Sequence, residues 1–192
     1  GGATGKLYAQ ISEGAPFDAL LAADAKTPAR LVTDGAAASD PFPYATGVLV
    51  LWSADPAHDL SDPRAALAAA RHVAVANPDV APYGKAAMET LDKLGLTDTL
   101  KDHIVTGENI GQTQTLVASG AAEIGFVAAS GLAGDAGGSR WDVPADLHAP
   151  IRQDAVLLKH GEGNAAAKAF LDYLASDAGK AVIASYGYAT GN

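Results

Sequence analysis

The sequence predicts an α/β fold with largely parallel sheets, and three observations carry that prediction. Short apolar runs suited to strands alternate with stretches of helical periodicity along the 192 residues. The run VLVLW, residues 48–52, is apolar without a break, as a strand covered on both faces should be. Glycine, proline, asparagine and aspartate gather where one pattern gives way to the next.

The elements follow in order. A helix is expected over 6–13, where Leu7 and Ile11 lie four apart on one face and Gly14, Ala15 and Pro16 stop it. DALLAA, residues 18–23, is a short buried strand, and a helix over 25–33 ends at Asp34 and Gly35. YATGVLVLWS, residues 44–53, reads as one longer strand. Ser61, Asp62 and Pro63 open a helix, and RHVAVAN, residues 71–77, is a strand ending at a proline turn. The second half repeats the rhythm: helix 83–94, strand 103–107, helix 111–119, strand 123–130. A glycine-rich loop over 131–139 precedes a short strand at 141–143 and the strand DAVLLK, residues 154–159. Helices over 165–174 and 177–186 close the chain, their alanine-rich faces suited to close packing.

Composition narrows the function. A chain that is 48% hydrophobic and 18% charged has the material for a real core. Its 22 acidic and 13 basic residues give a net charge of -9, which argues against nucleic acid or an acidic membrane as partner. Without cysteine there is no disulfide and no thiolate metal site, and no run is long enough to span a bilayer.

Strand-to-helix junctions of such folds lie on one edge of the sheet, where ligands bind. GATGK, NPDVAPYGK, GENIGQT and VAASG all place small or neutral polar residues there. A helix start offers unpaired N–H groups and a partial positive charge, so several starts converging make an anion site without any lysine or arginine. Each junction taken alone is more often an ordinary N-cap or turn. Lys6 and Lys85, beside two of these starts, are expected to point outward.

Catalytic signatures are missing from the sequence. His58, His72, His103, His148 and His160 are scattered, with no helical metal pair among them, so no direct protein–metal coordination is expected. There is no G-x-S-x-G elbow, and GGATGK has the wrong spacing for a phosphate loop. Glu108 and Asp154 read either as a carboxylate pair in a cleft or as a cap and a solvent-facing or hinge residue. The chain is not expected to be an enzyme, and no cofactor is implied.

The stretches GATGKLYAQI, VANPDVAPYGKAAMETLDKLGL, VTGENIGQTQTLVASGAAEIGFVA and PIRQDAVLLK together resemble the molybdate-binding proteins of bacterial ABC transporters, in the right order over nearly the whole chain. The resemblance implies the two-lobed type II fold of periplasmic binding proteins. It implies a ligand, molybdate or tungstate, that is held between lobes and handed to a membrane permease. It implies a periplasmic or membrane-anchored extracytoplasmic location, with the signal segment absent from this chain. By position it assigns Thr4 as a hydroxyl and N–H donor, Tyr83 as an N–H and hydroxyl donor after Pro82, and Ile110 as a backbone donor. Gly5, Pro82 and Asn109 lie beside them. Ala128 stands where some members use a tyrosine, so Tyr83 is expected to supply the hydroxyl instead.

The same resemblance places the first lobe at 1–47 with 154–192 and the second at 48–153. Family members carry a strand, a helix and a second strand ahead of the GATGK-like segment. The expectation is therefore a first lobe incomplete at its N-terminus, with an exposed sheet edge near 18–22 and self-association through it. Two other readings stand beside this one: a site for sulfate or another tetrahedral oxyanion, and a shortened interaction domain that binds no ligand.

Overall fold

The computed structural model describes residues 1–134 and 136–190. The chain divides into two compact units, one of Gly1–Gly47 with the residues from Ile151 onward and one of Val48–Pro150. The first unit opens with α1 (Thr4–Ser12), β1 (Ala19–Leu21), α2 (Lys26–Thr33) and β2 (Phe42–Gly47). The second contains β3 (Leu49–Ser53), α3 (Pro63–Ala69), β4 (Val73–Ala76), α4 (Pro82–Lys93), α5 (Thr97–Leu100) and β5 (Ile104–Gly107). It continues through α6 (Ile110–Ala118), β6 (Ile124–Ala128) and β7 (Ser139–Asp142). The chain then returns to the first unit in β8 (Ile151–Leu157), α7 (Ala165–Ala175) and α8 (Asp177–Ser185).

In the first unit the sheet runs β1-β8-β2 and both pairings are antiparallel. Alternation along β8 sends its side chains to two cores. Val156 and Leu158 pack with Ile11, Leu20 and Leu31. Ala155 and Leu157 pack with Leu171 and Leu174 of α7. Each helix therefore contributes one apolar stripe to a face of a narrow sheet.

In the second unit the sheet runs β5-β4-β6-β3-β7. Here β4 lies parallel to β5 and β6, while β3 is antiparallel to β6 and β7. Every residue of β3, β4 and β6 is buried, which explains why all of them but Ser53 are apolar or glycine. Val50, Trp52, Ala74, Val117 and Val127 form one core, and Trp52 donates its indole N–H to the Gly137 carbonyl at 3.0 Å.

Four expectations need correction. The sheets are not largely parallel: long-range pairings to β8 and β3 make much of the ladder antiparallel. Residues 44–53 are not one strand, because Gly47 pairs with Ile151 in the first sheet and Leu49 pairs with Ala128 in the second. The return falls at Ile151, three residues before Asp154, since β8 is a single strand whose pairing with β2 begins there. VAASG opens a 3-10 turn over Ala129–Leu132 and not an α-helix. Asp135 in the glycine-rich loop, and Gly191 and Asn192 in the first-lobe range, lie outside the described residues.

Candidate functional site

The second unit gathers two helix starts on one sheet edge. Strands β4 and β5 are parallel neighbours, with Ala76 paired to Gly107 at their carboxyl ends. The Asn77 N–H donates to the Gly107 carbonyl at 2.8 Å, so the two exits are tied together. From one exit the chain turns through Asn77, whose Oδ1 accepts from the Asp79 N–H, into α4. From the other it passes Glu108 and enters α6 through Asn109.

Glycine permits both approaches. A β-carbon on Gly84, in the first turn of α4, would overlap the Ala76 carbonyl oxygen. One on Gly107 would meet the Thr113 hydroxyl and backbone.

The first turn of α6 presents its donors openly. Asn109 is the N-cap and its Oδ1 accepts from the Gln112 N–H at 2.9 Å. The first intrahelical bond runs from Thr113 N–H to the Asn109 carbonyl. That leaves the N–H groups of Ile110 and Gly111 without a partner among the described residues. In α4 the N–H groups of Gly84 and Lys85 both turn back to the Ala81 carbonyl. Tyr83 supplies the N–H ahead of them, because Pro82 has none, and its side chain is 5% exposed.

In the first unit, α1 begins at Thr4 behind Ala3, and no side chain caps it. The N–H groups of Thr4, Gly5 and Lys6 precede the first intrahelical bond, from Leu7 N–H to the Ala3 carbonyl. Thr4 is 4% exposed, and its Oγ1 accepts from the Ala23 N–H at 3.1 Å. Its hydroxyl is thus not a cap for its own helix but a tie to the segment after β1. The tie extends further: the Ala22 N–H donates to the Asp154 carbonyl, and the Asp154 N–H to the Asp24 carbonyl. The Tyr44 hydroxyl lies 3.1 Å from the Ala22 carbonyl oxygen and 3.2 Å from Gln153 Oε1. Burial above all, then the neighbouring Tyr188 and Asp154, pushes the Tyr44 phenol well above its ordinary range.

The sequence-predicted residues therefore fall into two groups. Tyr83, Pro82, Ile110 and Asn109 stand at the two helix starts of the second unit, and Thr4 and Gly5 at the first turn of the first. Asn109 caps its helix with its side chain, so that oxygen is committed internally. Ala128 closes β6 and is buried. Lys6 and Lys85 are exposed.

The carboxylate pair is accounted for residue by residue. Asp154 is 2% exposed and held by Arg152 through two bonds of 2.8 Å, Nε to Oδ1 and Nη2 to Oδ2. Glu108 has an exposed side chain, and its N–H donates to Gln112 Oε1. Sequence reasoning missed the Arg152–Asp154 pair, although residues two apart on a strand share a face and the signal was there. A recess of about 500 Å³ lined by Ser53, His58, Ser119 and Glu123 lies at the opposite edge of the second sheet, beside the amino end of β6. It shares none of the helix starts. Among the described residues no group of three or more His, Cys, Asp or Glu side chains is placed to hold a metal ion.

Two compact α/β units, one with helix starts at the carboxyl ends of parallel strands, are an architecture found among receptors that capture small solutes. Residues 1–189 match the family of bacterial extracellular solute-binding proteins, and the chain belongs to that family. Within it the chain is 50% identical to a molybdate-binding protein of Rhodobacter capsulatus over 98% of its own length and 75% of that protein's. It is 49% identical to a molybdate-binding protein of Azotobacter vinelandii, over 97% of its length and 76% of that relative's. The periplasmic molybdate-binding protein structure from Azotobacter vinelandii superposes with a TM-score of 0.93 at 39% identity, covering 100% of this chain and 86% of that one. The resemblance read from the sequence and the two-lobed type II fold it implied are borne out.

Proposed function

We propose that this chain binds molybdate outside the cytoplasm and delivers it to the membrane permease of an ABC transporter. The observation that carries the reading is the placing of the starts of α4 and α6 side by side at the carboxyl ends of the parallel strands β4 and β5, with the Ile110 and Gly111 N–H groups open among the described residues. Dipoles fixed in this way hold an oxyanion without a paired cation. Thr4, Tyr83 and Ile110 are the proposed ligand residues, with Gly5, Pro82 and Asn109 shaping the turns around them. The two compact units are the proposed lobes. Tungstate, of the same charge and shape, is the proposed second ligand.

Calorimetric titration of the 192-residue chain with molybdate, tungstate, sulfate and phosphate tests this. Saturable one-to-one binding of molybdate and tungstate, tighter than that of sulfate and phosphate, is the expected result. Absence of saturable molybdate binding overturns the proposal.

A further inference from the structure

We infer that Glu89 is a positioning residue whose carboxylate fastens the last segment of the second unit, residues 144–150, onto α4, so that anion capture at the start of α4 and fastening of this segment reinforce each other. The inference rests on the function proposed above.

The segment follows β7 and leads into β8, outside both strand ladders. Val143, just ahead of it, is still tied by its N–H to the Leu49 carbonyl at 3.1 Å. Beyond that point two side chains of α4 reach across. Lys93 donates its ammonium to the Asp146 carbonyl, and Glu89 Oε2 accepts from the Ala149 N–H at 2.8 Å. Glu89 and Lys93 are four residues apart and so share one face of the helix.

Ala149 is where the fastening matters. It is exposed, yet side chains hold both of its backbone groups: Glu89 takes the N–H, and the carbonyl accepts from His148 Nδ1 at 2.8 Å. Pro150 comes next, with no N–H of its own, and restricts Ala149 to extended backbone. Ile151 then opens β8 by pairing with Gly47. Glu89 therefore fixes the chain at the point where it leaves the second unit.

Helix α4 carries this contact and the candidate donor together. Tyr83 lies in its first turn, and Glu89 stands about 9 Å further along the axis. Ala86, Ala87, Thr90 and Leu91 bury the face between and beyond them, so the helix is held as one piece. The segment has two states: fastened, with the Ala149 N–H on Glu89, or released, with that N–H on water. Whatever steadies α4 at its start favours the fastened state, and by reciprocity the fastened state favours the anion by the same factor. Water can replace the carboxylate at an exposed amide, so release costs the fold little.

Amide exchange of Ala149 tests the fastening without ligand. Protection is expected in the parent and in Glu89→Gln, which keeps an acceptor oxygen, and is expected to be lost in Glu89→Ala. Equal protection in all three proteins overturns the inference. Saturating molybdate should then raise Ala149 protection in the parent at least threefold, and Glu89→Ala should weaken the molybdate dissociation constant by the same factor, with Glu89→Gln within threefold of the parent. A smaller change in either reading overturns the coupling, and so does a Glu89→Gln that loses as much affinity as Glu89→Ala. A merely structural role for Glu89 would lower the melting temperature of Glu89→Ala and leave its affinity unchanged. A parent chain that binds no molybdate counts against the proposed function, while the exchange of Ala149 in the ligand-free proteins still decides the fastening.

Discussion

Gly84 lies so close against the Ala76 carbonyl that a β-carbon on it would overlap the oxygen. Helix α4 can reach the carboxyl end of β4 only because this side chain is missing. Its neighbour Tyr83 then stands at the sheet edge.

Gly84→Ala should therefore act on fold and site together. The start of α4 must shift, and overpacking of this kind costs about 1–3 kcal/mol. Urea unfolding should show a lower midpoint at unchanged slope, and molybdate affinity should fall because the Tyr83 N–H moves with the helix. An unchanged midpoint would contradict the close approach.

Thr4→Val and Tyr83→Phe each remove one hydroxyl. Bonds to a charged oxygen are worth roughly 1.5–3 kcal/mol. At about 1.4 kcal/mol per tenfold, each variant should weaken molybdate binding by about one to two orders of magnitude. Ile110→Val, which keeps the backbone N–H, should bind as the parent does. Thr4→Val also deprives the Ala23 N–H of its acceptor, so its melting temperature should fall without ligand. Melting and affinity measured on the same samples separate the two losses.

Lys85 is exposed in the first turn of α4. If dipoles and not cations hold the anion, Lys85→Met should alter the molybdate dissociation constant less than about tenfold. A loss of two or more orders of magnitude would make the ammonium a ligand.

Tyr44 gives a pH signature. Its folded pKa is raised, so its contribution to stability is complete below the ordinary phenol value of about 10. It is lost as pH rises above that value, because the unfolded chain ionises first. Unfolding midpoints between about pH 9 and 11 should fall more steeply for the parent than for Tyr44→Phe. Parallel slopes would mean the phenol is not protected.

Local patterns carried much of this molecule. The apolar face of Leu7 and Ile11, the proline at the start of α3 and the asparagine at the start of α6 each have a cause within a few residues. The side-chain cap of Asp62 on the Ala65 N–H is of this kind. The break at Val48 has no such cause, since it reflects two different partners, Ile151 and Ala128, each far along the chain. Antiparallel pairing to β8 was hidden for the same reason. At the site, the helix starts were legible from their residue types. The bond from Ala23 to Thr4 was not, because a backbone amide donates it across 19 positions and leaves no trace in residue identity.

The order of the strands has a consequence for a chain made from its amino end. The second unit is continuous, so all its strands exist once residue 150 has been synthesised. Among the described strands, β1 and β2 take β8 as their partner, with one further bridge from Thr46 to Ala189, so they must wait for residues 151 onward. Contacts that close so long a loop form late, since the entropy of closure precedes any gain from pairing. The segment bearing Thr4 thus leaves the ribosome ahead of the second unit yet is among the last to find its sheet, and until then its neighbouring strand edges stand open to other chains.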